Sequence, residues 1–147
     1  MTTIACNREM IVSDSMVSFA HKGIWYPAIK LVRGPGLVAG ASGDGSDCSR
    51  FLKWAANGMK GPIPKWTDTT SDDQVLALVL KEDGIYAWSV GDPEPERIEA
   101  DYFAVGSGGK PARIAMKYGA DPIQAVRDAM TVDLFSGGEI QILKLKE

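Results

Sequence analysis

The sequence predicts an α+β domain in which helices cover the faces of antiparallel sheets. Three observations point that way: short β-branched stretches at both ends of the chain, segments of helical period between them, and turn residues at most junctions. The order reads strands, helix, strands, two helices, strand, and elements so arranged stack as layers around shared cores. At 147 residues the chain fits one domain, 1–147, large enough to bury roughly two thirds of the surface that its unfolded form exposes.

The elements follow in order. "TTIAC" and "MIVSDSMVS" are two strands joined by the tight turn "NRE", and "IWYPAIKLV" and "GLVAGAS" are two more joined through "RGPG", which places four strands in the first forty-two residues. Pro27 suits a sheet edge or a strand start, because it has no N–H to give to a ladder. In "SDCSRFLKWAANG" the residues Cys48, Phe51, Leu52 and Ala55 recur at i, i+3, i+4 and i+7, and Gly58 is placed to end the helix. Residues 59–73, with Gly61, Pro62 and Pro64, read as a loop. "QVLALVL" is continuously apolar, as a centrally placed strand buried on both faces would be, and "KEDG" turns it into "GIYAWSV". "GDPEPERIEADYFAVGSGG" carries two turns and one apolar strand. "KPARIAMKYG" is a helix closed by Gly119. The next helix has Asp121 as N-cap, Pro122 in its first turn and Ile123, Val126 and Met130 along one side. "EIQILKL" is the last strand.

Composition excludes several function classes. Sixteen Lys and Arg against nineteen Asp and Glu leave a net charge of −3, without the basic footprint of a nucleic-acid binder. No apolar run approaches the ~20 residues of a membrane helix, and the N-terminus has no signal-peptide pattern, so the expected location is the cytoplasm. Cys6 and Cys48 lack CxxC spacing and read as free thiols of a reducing compartment, with a disulfide between them as the lesser alternative.

Familiar catalytic patterns fail on inspection. His21 is the single histidine; it reads as a surface residue, no metal site is expected, and a Ser-His-Asp triad would lack a GxSxG elbow to present its serine. "VGSGGKP" contains the Gly109-Lys110 pair of a phosphate loop, but position 104 is Ala where that loop needs Gly, and Pro111 replaces its Ser or Thr. "SGDGSD" lacks the alternating ligands of a calcium loop and reads as a turn into a helix.

One arrangement survives. A threonine hydroxyl needs a base, and an N-terminal threonine carries one in its own α-amine, whose pKa is about 7.7–8. Thr2 becomes such a residue once Met1 is removed. Thr3 does not, since its nitrogen is a peptide amide and its side chain points to the other face of the strand. On the terminus alone, the reading of both threonines as ordinary strand residues is the favoured one.

The pieces "TTIAC", "VSDSMVS", "IKLV", "VAGASGDGSD", "AVGSGG" and "VDLFSGG", in that order, resemble the proteasome β-subunit family, and especially its bacterial HslV peptidase branch. The resemblance runs from Thr2 to about Leu145. It implies a four-layer αββα sandwich, two antiparallel sheets between helix layers, of the N-terminal nucleophile hydrolase type. It also implies a threonine endopeptidase enclosed in a self-compartmentalising homo-oligomeric ring, stacked on a second ring. The implied partners are an HslU-like ATPase unfoldase and unfolded polypeptide substrate; no cofactor, nucleic acid or membrane is implied.

Carried over residue by residue, Thr2 matches the nucleophile and Lys30 the catalytic lysine, whose charge would lower the pKa of the nearby amine or hydroxyl. Asp14 matches the carboxylate that orients that lysine. Gly43 matches the glycine whose N–H forms the oxyanion hole. Ser107, Asp133 and Ser136 match the polar support of the threonine amine. By position, the specificity pocket would be roomy and apolar, lined by Ala28 and Ala41. Without the resemblance, Lys30 reads equally as an exposed strand residue, Asp14, Gly43, Ser107 and Ser136 as turn residues, and Asp133 as a helix end. Two other functions stay open at this level: a catalytically inactive ring or scaffold protein of the same fold, and a small-molecule amidase with an N-terminal nucleophile.

Overall fold

The computed structural model describes residues 2–19, 24–43, 45–65, 76–89 and 94–146. His21, Asp44 and residues 66–73 of the expected loop lie outside them.

The chain begins with β1 (Thr3–Asn7) and β2 (Met10–Ser13), joined where the Asn7 side-chain oxygen accepts from the N–H groups of Glu9 and Met10 at 2.8 and 3.0 Å. This Asx-type turn is the reason "NRE" reverses the chain. β3 (Met16–Phe19) and β4 (Ile24–Pro27) form a separate two-stranded sheet, and β5 (Leu31–Gly34) and β6 (Leu37–Ser42) follow. Among the described residues of the first forty-two there are therefore six strands rather than the expected four. "MIVSDSMVS" divides at Asp14 and Ser15, and "IWYPAIKLV" divides at residues 28–30. Both breaks fall where a side chain or a main-chain segment is turned over to the site described below.

The rest follows the sequence closely. α1 (Gly45–Ala56) ends at Gly58, which has a φ of +83°. β7 (Leu76–Lys81) and β8 (Gly84–Trp88) make the expected hairpin, and β7 is the central strand of a five-stranded sheet ordered β5-β6-β7-β8 and then β9 (Glu96–Ile98), a short edge strand that the sequence pattern did not announce. β10 (Tyr102–Gly106), α2 (Gly109–Lys117), α3 (Pro122–Val132) and β11 (Gln141–Lys144) complete the chain. Asp121 caps α3, its side chain accepting from Gln124 N–H at 2.8 Å. The buried stripe of α3 is Pro122, Ala125, Val126 and Ala129; Ile123 and Met130, expected on that face, flank it half-buried.

Period-two alternation builds the layers. In β1, Ile4 and Cys6 join Ile11, Val105 and the second-sheet residues Leu31, Val38, Leu78, Leu80 and Ile85 in a core between the two sheets. Ala5, with Val12 and Ala104, points the other way, against Ala112 and Met116 of α2 and Ala125, Val126 and Ala129 of α3. On the far face of the five-stranded sheet, Leu37, Ala39, Ala41, Ala77, Val79 and Trp88 pack on Phe51 and Ala55 of α1. The stack is therefore α2 and α3, the β10-β1-β2-β11 sheet, the five-stranded sheet, and α1. Burial between the sheets pushes the Cys6 thiol up to about 12. Among the described residues no helix is long and apolar enough to cross a membrane.

Candidate active site

Thr2 precedes β1 at one end of the gap between the sheets, and alternation along the strand gives it the face of Ile4 while Thr3 takes the face of Ala5. Thr2 and Thr3 are both buried. Two polar clusters meet there, one on each side of the strand.

On the inter-sheet side, Lys30, just before β5, extends its ammonium to three acceptors. Nζ donates to Thr2 Oγ1 at 3.0 Å, to Asp14 Oδ1 at 2.9 Å and to the Met16 carbonyl at 2.6 Å. Lys30 is 5% exposed and Asp14 is fully buried. Asp14 lies past the end of β2, where its N–H donates to Thr3 O at 3.2 Å, so the ladder that pairs β1 with β2 also sets the carboxylate beside the strand. Its Oδ1 accepts from Thr3 N–H at 3.1 Å and its Oδ2 from Gly137 N–H at 3.0 Å. A carboxylate held by a cation and main-chain donors is an acceptable buried charge. Burial holds the Lys30 amine below the ordinary lysine value, and the Asp14 charge opposes that shift only in part. Such an amine is neutral more of the time than a solvated lysine, and only the neutral form can take up a proton.

On the helix side, Thr2 N–H donates to Ser107 Oγ at 3.1 Å. The hydroxyls of Ser107 and Ser136 each donate to Asp133 Oδ2 at 2.6 Å, and Ser136 Oγ lies 2.7 Å from Thr3 Oγ1. Burial works to raise the Asp133 carboxyl, but the hydrogen bonds from Ser107, Ser136 and Phe135 N–H outweigh it and hold the group below the usual carboxylate range. Asp133 is the C-cap of α3, and Ser107 follows β10, so the cluster forms where a helix end and a strand end meet β1.

The glycines of "VGSGG" have a steric reason. Gly106 has a φ of +94°, and a Cβ there would lie 1.9 Å from Thr2 O; a Cβ at Gly108 would lie 1.8 Å from Thr3 Oγ1. The turn after β10 therefore presses its bare backbone against the first two threonines, and Gly108 N–H donates to Thr2 O at 3.3 Å.

Of the seven residues proposed from sequence, the structure brings Thr2, Asp14, Lys30, Ser107, Asp133 and Ser136 into one hydrogen-bonded assembly. Gly43 stands apart from those bonds, between β6 and α1, with a φ of +115° that favours glycine. Thr3 was expected to be an ordinary strand residue; it does face away from Thr2, yet it connects the two clusters, its N–H bonded to Asp14 and its hydroxyl to Ser136. The signal that could have found it is a second hydroxyl in a strand position that otherwise carries small apolar residues. Beside the site lies a groove of about 740 Å³ lined by Met16, Trp25, Tyr26, Ala28, Ile140 and Gln141 among others. Ala28 lines this groove, whereas Ala41 is packed against α1 in the core. Among the described residues no group of three or more His, Cys, Asp or Glu is placed to hold a metal ion.

No protein-family model matches the sequence, and no curated protein matches it. Solved structures do. HslV from Trypanosoma brucei is 23% identical and superposes with a TM-score of 0.69 over 97% of this chain and 99% of its own. Thiobacillus denitrificans BPH is 15% identical with a TM-score of 0.73 over 98% of each chain, and the same protein in complex with epoxomicin is 16% identical with a TM-score of 0.68 over 99% of this chain and 100% of that one. The fold of this chain is therefore the HslV-type α+β fold that the sequence motifs implied.

Proposed function

We propose that the chain is a threonine peptidase in which Thr2, freed of the preceding Met1, is the nucleophile. The observation that supports this best is the Lys30 Nζ contact to Thr2 Oγ1 at 3.0 Å, with Asp14 bonded to the same nitrogen. A hydroxyl beside an amine of lowered pKa, itself oriented by a buried carboxylate, is the nucleophile, base and orienter relationship of covalent acyl transfer.

The chemistry follows from those contacts. Neutral Lys30 takes the Thr2 Oγ proton as the oxygen bonds to the substrate carbonyl carbon. The Gly43 N–H serves the oxyanion, a role suited to a backbone without a side chain in the way. Collapse of the tetrahedral adduct breaks the C–N bond, and the leaving amine takes a proton passed back from Lys30 through the Thr2 α-amine. Ser107 accepts from the Thr2 N–H, the nitrogen that becomes that amine once Met1 is removed, and Asp133, shared with Ser136, fixes the direction of the Ser107 hydroxyl. Water then attacks the acyl ester on Thr2 and restores the hydroxyl.

The fold shared with HslV and with an epoxomicin-binding protein supports a peptide substrate over a free amide. It supports equally a homo-oligomeric ring, an unfoldase of the HslU type as partner, and a cytoplasmic setting. The test uses the full chain with intact mass confirming loss of Met1. The processed protein is expected to cleave peptides and to be protected from thermal unfolding by epoxomicin, with turnover falling at least about 10³-fold in Thr2→Ala. Absence of Thr2-dependent turnover, with an unfoldase supplied, would leave a scaffold of the same fold. Turnover by a monomer on small amides alone would make it an amidase.

A further inference from the structure

We propose that Gln141 is a positioning residue for Lys30, its side-chain amide standing in for a strand that residues 28–30 lack. This rests on the peptidase reading of Thr2 and Lys30. β4 ends at Pro27 and β5 begins at Leu31, so residues 28–30 pass from the two-stranded sheet to the five-stranded sheet outside any ladder. Their main-chain bonds come from elsewhere. Ala28 N–H donates to Ser15 O at 2.7 Å. Gln141 Oε1 accepts from Lys30 N–H at 2.9 Å, and Gln141 Nε2 donates to the Ala28 carbonyl at 2.5 Å.

The pair of groups gripped, the carbonyl before Ile29 and the N–H after it, is the pair that one residue of a neighbouring parallel strand would engage. A primary amide offers the same donor and acceptor as a peptide unit, at the end of a side chain. Ile29 itself is 83% exposed, so apolar packing does not hold this segment. The far end of the clamp is rigid: Gln141 opens β11 and pairs with Ser13 of β2, the residue before Asp14. One amide therefore ties the Lys30 main chain to β11, at the position paired with the residue before its counter-ion.

Register at the Lys30 Cα matters because the side chain has four rotatable bonds and its Nζ must meet Thr2, Asp14 and the Met16 carbonyl together. A misplacement of about 1 Å in such an arrangement costs on the order of 10²-fold in rate. Asp14 in contact, with Cys48 and Asp133 beyond it, are the titratable groups that bear on Nζ.

The test compares the processed full chain with Gln141→Met, which keeps length and loses both bonds, and Gln141→Glu, which keeps the acceptor for Lys30 N–H and loses the donor to Ala28. Peptide hydrolysis and the pH titration of the Lys30 ε-carbon by NMR are measured on each. Gln141→Met is expected to lower kcat by about 10- to 100-fold with KM within about threefold, and to move the Lys30 midpoint up toward the ordinary lysine value. Gln141→Glu should recover part of both. With an active wild type, an unchanged kcat or an unchanged Lys30 midpoint in Gln141→Met overturns the proposal, as does a loss confined to KM. If the wild type shows no Thr2-dependent hydrolysis, the peptidase reading has failed, and the Lys30 titration alone decides whether Gln141 positions the lysine. Should Gln141→Met not fold, Gln141→Glu is judged on the same two measurements, where no change in either overturns the proposal.

Discussion

Asp14 and Lys30 form an ion pair of 2.9 Å in which neither side chain is more than 5% exposed, and its cation reaches past the carboxylate to Thr2 Oγ1. A buried pair of this kind is held as much by what each partner would suffer alone as by mutual attraction. Its removal should therefore read out in stability and activity separately.

Lys30→Met leaves Asp14 charged and buried with only its main-chain donors. A loss of about 3 kcal/mol in denaturant unfolding is expected. The double variant Lys30→Met/Asp14→Asn should recover part of that stability, because the stranded charge is gone, while turnover stays at the level of Thr2→Ala. A double variant no more stable than Lys30→Met would mean that the carboxylate is satisfied by its N–H donors alone.

The lysine also sets a pH dependence. Its folded-state pKa lies below the unfolded one, so between the two values the unfolded chain binds more protons, and stability rises with pH across that window. Turnover should rise in the same direction, as Lys30 becomes neutral in the folded protein. Urea unfolding at pH 7 and pH 10.5 checks the first point: wild type should gain relative to Lys30→Met at the higher pH. Hydrolysis rate against pH checks the second.

Asp133 acts at the acid end. Its folded pKa is depressed, so its contribution is complete above the unfolded carboxylate value and is lost as pH falls through the folded one. Asp133→Asn should flatten the acid limb of the stability profile and lower turnover, since Ser107 loses the acceptor that aims its hydroxyl. Equal acid limbs in the two proteins would argue that the Ser107 and Ser136 bonds do not depend on charge.

Gly106→Ala and Gly108→Ala each place a methyl group within 2 Å of the first two threonines, on Thr2 O and on Thr3 Oγ1 respectively. Each should cost about 2–3 kcal/mol of stability. Thr3→Val keeps the shape, removes the hydroxyl bonded to Ser136, and should cost about 1 kcal/mol. Equilibrium unfolding ranks the three, and the alanine variants should be the worse.

The layers and the site differ in how far the sequence disclosed them. The unbroken apolar run "LALVL" marked β7 as a strand covered on both faces, and Asp121-Pro122 marked the start of α3 to the residue. Strand ends were less legible. The breaks at Asp14 and at residues 28–30 come from long-range bonds to Lys30 and Gln141, which no local pattern encodes. For the same reason Thr3 and Gln141 escaped notice: each acts through a partner more than a hundred residues away. Gly106 and Gly108 looked like part of a failed phosphate loop, whereas their lack of a side chain is needed by residues 2 and 3.

β1 is flanked by β10 and β2, and β2 in turn by β11. Thr2 bonds to Ser107 across 105 positions and Thr3 to Ser136 across 133. Contacts at such separations close late, after the local helices and hairpins. During synthesis, then, Thr2 and Thr3 wait until Ser107 and Ser136 have been made before the set of groups around them is complete. On the peptidase reading proposed above, the Thr2 hydroxyl until that moment lacks the groups that would activate it, so a half-folded copy would have no means of cutting its neighbours.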